Sequence, residues 1–172
     1  MTTIVWFRQD LRVGDNPALA AAAKRGQVVP LYVLDEEGRR PLGAASRWWL
    51  HHSLAALEKS LGGLVLRRGD PAAILPQMAK AACADMVVWN RSHEPDAMAR
   101  DEAVVAALNK AGIAADSFNG NLLHEPSEVK TQTGGPFKVY TPFWRACRAR
   151  HAPAPQSAAR PGSPRSSSRV GR

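Results

Sequence analysis

Charged and amide side chains gather at five places, each just after an apolar run. They are Arg8-Gln9-Asp10 with Arg12, Leu34-Asp35-Glu36-Glu37, Arg67-Arg68-Gly69-Asp70, Asn90-Arg91-Ser92 with Glu94, and Asn119-Gly120-Asn121. Arginines in such positions suit an anion or the polar edge of a ring, and carboxylates and amides can orient a heterocycle through hydrogen bonds. The alternating charges of Arg8-Gln9-Asp10-Leu11-Arg12 fit either a ligand or internal pairing. The acids Asp35-Glu36-Glu37 run into Gly38-Arg39-Arg40, which favours a solvated loop over a ligand contact. No GxGxxG or GxxxxGK[ST] follows the first apolar run, so the backbone cradle for a pyrophosphate or triphosphate is missing and ordinary NAD or ATP binding is disfavoured. His51-His52 are adjacent rather than four apart, so they do not share a helix face as metal ligands would. Cys83 and Cys147 stand alone, with neither CxxC nor Cys/His pairing, which points away from disulfides and zinc and toward a reducing, cytoplasmic setting. No nucleophilic triad or acid-base carboxylate pair emerges from spacing.

Five tryptophans can stack on flat chromophores or fill a core. Trp6 and Trp89 end apolar runs and read as core. Trp48 and Trp49 point about 100° apart on a helix, so at least one is expected to face a sheet. Trp144, in Thr141-Pro142-Phe143-Trp144-Arg145, is a candidate for an exposed apolar patch.

The elements that must position these residues are legible in the apolar pattern. Strands are expected at Thr3 to Phe7, Val28 to Leu34, Leu64 to Arg67, Met86 to Trp89 and Ile113 to Phe118. Helices alternate with them. The first has Asn16 as N-cap and Pro17 at its first position, a device repeated at Asp70-Pro71 and Thr141-Pro142. In the second, Leu50, Leu54, Leu57 and Leu61 form one stripe that stops at Gly62-Gly63. The third spans about Pro71 to Ala82, the fourth about Pro95 to Ala111, and a short one about Pro142 to Arg150. Near-continuous apolar strands joined by helices imply an α/β fold: a doubly wound, five-stranded parallel sheet with helices on both faces. Ligands of such sheets bind beyond the carboxyl ends of the strands, where strand order reverses.

The net charge of +8 is uneven. From Arg145 onward there are seven arginines and no acids, leaving 16 basic against 15 acidic residues before that point. The nearly neutral remainder suits a small ligand better than a duplex surface, while the arginines allow weak, nonspecific nucleic-acid binding. The segment 151–172 holds four Pro, five Ser and four Arg among its 22 residues and is expected to be a disordered tail after a domain over 1–150. The N-terminus has an apolar run of only four residues, Ile4 to Phe7, too short for a signal peptide or membrane span.

The string Ile4-Val5-Trp6-Phe7-Arg8-Gln9-Asp10-Leu11-Arg12-Val13-Gly14-Asp15-Asn16-Pro17-Ala18-Leu19 closely resembles the opening of DNA photolyases and cryptochromes. Three further blocks agree in order. They are Gly43 through Leu61 with Ser46-Arg47-Trp48-Trp49-Leu50, Trp89-Asn90-Arg91-Ser92-His93-Glu94-Pro95 with Arg100-Asp101, and Phe137-Lys138-Val139-Tyr140-Thr141-Pro142-Phe143-Trp144.

The resemblance implies the Rossmann-like N-terminal domain of a flavoprotein family, which holds or borders a light-harvesting antenna pigment. In that family a helical C-terminal domain binds FAD and damaged DNA, and blue light drives splitting of cyclobutane pyrimidine dimers; cryptochromes use the same scaffold for signalling. The match ends near Arg150, so the expectation is an antenna domain of a deoxyribodipyrimidine photolyase without its FAD domain and without catalysis of its own. The alternatives are a cryptochrome-type photoreceptor domain or a stand-alone nucleotide- or flavin-binding module. Where folate-binding members carry an Asn-Glu pair, this chain has Asp96 and Ala97. The resemblance therefore favours a deazaflavin or flavin over reduced folate, bordered by Arg12, Leu34, Asp35, Arg47, Asn90 and Glu94.

Overall fold

In the computed structural model, residues 1–36 and 41–150 are described; Glu37 and the segment 151–172, for which a loop position and a disordered tail were expected, lie outside them. The elements run β1 (Thr2–Phe7), α1 (Pro17–Arg25), β2 (Gln27–Leu34), α2 (Ala44–Leu61), β3 (Val65–Arg68), α3 (Pro71–Ala81), β4 (Met86–Asn90), α4 (Pro95–Lys110), β5 (Ala114–Phe118) and α5 (Tyr140–Ala149). All four strand pairings are parallel, in the order β3-β2-β1-β4-β5. The doubly wound sheet is as expected. The chain steps outward from β1 through β2 to β3, then crosses back to place β4 on the other side of β1.

Each face of the sheet has its own core. On one, Val5, Phe7, Val28 and Val88 pack against Ala18, Leu19 and Ala22 of α1 and Leu57 and Leu61 of α2. On the other, Ile4, Trp6, Leu31, Val33, Val87 and Trp89 pack against Leu75 and Ala79 of α3 and Val104 and Leu108 of α4. Strand β1 is buried on both sides because consecutive side chains alternate between the two cores, which is why Ile4-Val5-Trp6-Phe7 carries no polar residue.

Local chemistry sets the helix starts. The Asn16 side chain accepts from the Leu19 amide at 3.1 Å and Asp70 from the Ala72 amide at 2.9 Å, each followed by proline at the first helical position. The expected third use of this device does not occur: α5 begins at Tyr140 with Val139 as cap, so Thr141 lies inside the first turn, where proline at position 142 is still tolerated. Helix α2 ends at Gly62, left-handed at φ 78°, whose amide reaches the Glu58 carbonyl.

The leucine stripe of α2 is not uniformly buried. Leu57 and Leu61 are buried, Leu50 and Leu54 only half so. Contrary to expectation neither Trp48 nor Trp49 faces the sheet; they are 62% and 70% exposed. The N-terminal half of α2 stands away from the sheet, and the indoles go with it.

Residues Met1–Gly120 form one compact unit and a second starts at Asn121. Within the second, Thr131 and Gly135 close a turn through reciprocal hydrogen bonds: the Thr131 amide donates to the Gly135 carbonyl at 2.8 Å and the Gly135 amide to Thr131 Oγ1 at 3.1 Å, with Gly134 at φ 83° between them. On α5, Tyr140 and Trp144 stack at 6.4 Å and both are exposed, as the amphipathic sequence suggested for Trp144.

Candidate functional site: a cleft at the carboxyl edge of the sheet

The lifted half of α2 leaves a cleft of ≈ 870 Å³ above the carboxyl ends of β1 and β2. Its floor and walls come from Trp6, Arg8, Gln9, Leu11 and Arg12 at and after the end of β1, Tyr32 to Glu36 at the end of β2, and Arg100 of α4. Its roof is one face of α2, where Ser46, Trp49, Leu50 and Ser53 follow helical i, i+3, i+4, i+7 spacing. The mixture of aromatic, aliphatic and a few charged groups, at this volume, is that of a small-molecule site. A second hollow of ≈ 390 Å³ shares Tyr32, Leu34 and Leu50 with it and continues between α2 and the edge strand β3.

Ion pairs shape the cleft. Asp35 accepts from Arg100 Nη1 at 3.0 Å, and both side chains are largely buried. Glu36 receives Arg47 at 3.5 Å and also pairs with Arg68. The solvated loop expected for Asp35-Glu36 is therefore replaced by two carboxylates tied to the helices and strand around them. Arg8 forks onto Asp101 at 2.7 and 3.3 Å, donates to the Asn90 carbonyl at 2.6 Å, and lies over the Trp6 ring at 4.7 Å. Trp89 donates its indole N–H to the same Asp101, at 2.9 Å.

Of the six residues expected to border a pigment, Arg12, Leu34 and Asp35 line the cleft. Arg12 is held there by the carbonyls of Asp15 and Gly120. Arg47 is not part of the lining and reaches Glu36 at its margin. Glu94 caps α4 through its backbone, with no side-chain cap bond, and is likewise outside the lining. Asn90 is 2% exposed and belongs to a buried amide-carboxylate cluster. Its Nδ2 donates to Asp10 Oδ2 and to Asn16 Oδ1, and its Oδ1 accepts from the Ala18 amide. Asp10 also accepts from the Arg8 amide at 2.9 Å and from Asn16 Nδ2 at 3.3 Å. Here the internal-pairing reading of Asp10 prevails.

This cluster stands where strand order reverses, between β1 and β4, and fills the crevice that topology alone nominates; the open cleft lies one strand over. Sequence reasoning left Trp6, Tyr32, Trp49 and Arg100 out of the site, and named Arg8 only among the post-strand groups that fit either a ligand or internal pairing. A usable signal existed for Trp49, since Ser46, Trp49 and Ser53 put a polar and aromatic face on a helix whose other stripe is leucine.

Fold and cleft together define a doubly wound α/β domain with an open cleft at the carboxyl edge of its sheet. The DNA photolyase family model matches residues 3–162, and the chain belongs to the DNA photolyase family. It is 52% identical over 159 residues to the deoxyribodipyrimidine photo-lyase of Agrobacterium fabrum, covering 88% of this chain and 33% of that protein. It is 43% identical over 152 residues to Cryptochrome-1 of Arabidopsis thaliana, covering 84% of this chain and 22% of that protein. A solved class III photolyase from Agrobacterium tumefaciens superposes with a TM-score of 0.80 at 47% identity, over 93% of this chain and 35% of that one. The chain thus spans about a third of the photolyases it matches and corresponds to their N-terminal domain. Flavins and antenna chromophores are the cofactor class of the family.

Proposed function

We propose that the cleft binds a flat antenna pigment, a deazaflavin or flavin rather than reduced folate, within a photolyase whose complete form repairs cyclobutane pyrimidine dimers in DNA by light. The observation that carries this reading is the ≈ 870 Å³ cleft with Tyr32 and Trp49 among its walls and Arg12 and Arg100 at its polar side. Aromatic and leucine side chains would cover the ring faces of such a pigment and keep water from them, while the arginines would meet its polar atoms. The pigment's contribution when bound is absorption of blue light. Against reduced folate, Ala97 is buried in the core-facing side of α4, Asp96 is exposed, and neither lines the cleft.

Reconstitution of the purified chain with riboflavin, a 5-deazaflavin and methenyltetrahydrofolate tests the reading. Saturable quenching of the flavin or deazaflavin fluorescence, with no uptake of folate, is expected. Preferential uptake of folate would overturn the pigment assignment, and binding of adenine nucleotides alone would favour a nucleotide module instead. The 43% identity to Cryptochrome-1 favours, as a second reading, a photoreceptor rather than a repair enzyme; light-dependent dimer repair by the full-length protein separates the two.

A further inference from the structure

The turn after β5 carries the chain's one Asn-Gly pair, Asn119-Gly120. Packing demands the glycine, since a Cβ at position 120 would lie 2.5–2.8 Å from the Asn90 side-chain amide. The Gly120 carbonyl accepts from Arg12 Nη2, but the Gly120 N–H has no acceptor among the described residues. The ladder between β4 and β5 ends just before it, where the Arg91 amide donates to the Phe118 carbonyl at 2.9 Å. Both residues of the pair are half-buried and so partly open to water. An asparagine followed by a glycine with an unbonded amide is chemically labile. That nitrogen can close a five-membered ring onto the side-chain Cγ, and no side chain on the glycine hinders the approach. The other asparagines lack this combination. Asn16 is followed by proline, which has no N–H; the amide after Asn90 is the one that Phe118 holds; Asn109 lies inside α4; and Asn121 precedes the branched Leu122.

We propose that Asn119 is a site of spontaneous modification, deamidating through a succinimide while the chain is folded. The Gly120 nitrogen gives up its proton to hydroxide and attacks Asn119 Cγ; a C–N bond closes the ring, and the side-chain nitrogen leaves as ammonia. Water then opens the succinimide at either of its carbonyls. Opening at Cγ leaves a normal aspartyl residue, whereas opening at the main-chain carbonyl leaves a β-aspartyl link, with the backbone rerouted through the side chain. Either way water is taken up and ammonia released, with no oxidant. The Arg12 guanidinium on the Gly120 carbonyl puts positive charge near the nitrogen that must become anionic, which favours its deprotonation. The consequence is structural. A β-aspartyl link adds a methylene to the main chain just before Gly120, the residue that anchors Arg12 at the cleft and sits against Asn90. Arg12 then loses an anchor, and the buried Asp10-Asn16-Asn90 cluster loses a fitted neighbour. The same packing that demands glycine at position 120 thus makes the preceding asparagine perishable.

The test is incubation of the full chain at mildly alkaline pH in oxygen-18 water, either folded or unfolded in guanidinium chloride, followed by peptide mass spectrometry. In the folded chain Asn119 is expected to convert to the acid with uptake of the heavy oxygen, within a few-fold of its rate in the unfolded chain. The rate should rise with pH in proportion to hydroxide. Asn90 and Asn109 are expected to remain amides in the folded chain over the same period. An isoaspartyl methyltransferase should label the aged chain at position 119 and leave an Asn119→Gln chain unlabelled, because glutamine closes a six-membered ring slowly. The aged chain is expected to unfold at lower urea than the fresh chain, while Asn119→Gln keeps its midpoint on ageing. An Asn119→Asp chain carries the charge without the added methylene and is expected to unfold near the fresh parent. Conversion in guanidinium with none in the folded chain overturns the proposal, as does equal conversion of Asn90 or Asn109 in the folded chain. Conversion with no loss of stability overturns the structural consequence and leaves the modification site standing.

Discussion

Asp10, Asn16 and Asn90 are 4%, 1% and 2% exposed, yet each polar group in the cluster has a partner. A buried carboxylate is tolerated only when its lone pairs are met, and here an amide from each of β4 and the α1 cap meets them, together with the Arg8 backbone. Asn90→Leu keeps the approximate volume but strips the Ala18 amide and Asp10 of a partner each. It is expected to destabilise the chain by about 2–4 kcal/mol, read from the midpoint of urea unfolding. Trp49 is the opposite case, 70% exposed and bonded to nothing in the core. Trp49→Ala should leave unfolding within about 0.5 kcal/mol of the parent while weakening riboflavin binding several-fold, a separation that titration and urea melts on one variant can check. The sequence marked Asn90 as a ligand contact whereas its partners are internal, because whether an amide after a strand turns toward ligand or core depends on side chains far away in the chain.

At the scale of elements, the turn after β5 and the pitch of α2 matter most. A Cβ at Gly120 would lie 2.5–2.8 Å from the Asn90 side-chain amide. That amide is held on three sides and cannot move aside, so Gly120→Ala is expected to cost about 1–3 kcal/mol, measurable as a lowered thermal midpoint. Helix α2 is anchored at one end by Leu57 and Leu61, whereas its first half is exposed above the cleft. Amide hydrogen exchange should accordingly be faster over residues 44–53 than over 54–61, and bound riboflavin should slow the former selectively. The caps at Asn16 and Asp70 were readable in advance because a capping bond spans two or three residues. The lift of α2 was not, because it depends on how an 18-residue rod meets a twisted sheet.

For the whole molecule, the position of the open cleft is the decisive feature. Strand order reverses between β1 and β4, and a purely topological argument puts the ligand there. The Asp10-Asn16-Asn90 cluster occupies that crevice and the cavity opens above β1 and β2 instead. Charge is divided along the chain as well: near balance before Arg145 and seven arginines from there on. Duplex affinity at low salt, if it resides in those arginines, should fall steeply with added salt and weaken sharply on removal of residues 151–172; unchanged affinity after that removal would place any DNA contact elsewhere.

The sequence by itself determined the five strands, their helical crossovers, two of the helix caps and the photolyase kinship, all of which rest on local periodicity or contiguous strings. It also set Arg12, Leu34 and Asp35 at strand ends, which the structure brings to the cleft. Only the tertiary structure decided which polar residues face inward, that Trp48 and Trp49 stay out of the core, and that Trp6 and Arg100 come to the cleft. Those outcomes depend on contacts between distant segments, and no short-range pattern encodes the direction in which a buried side chain finds its partner.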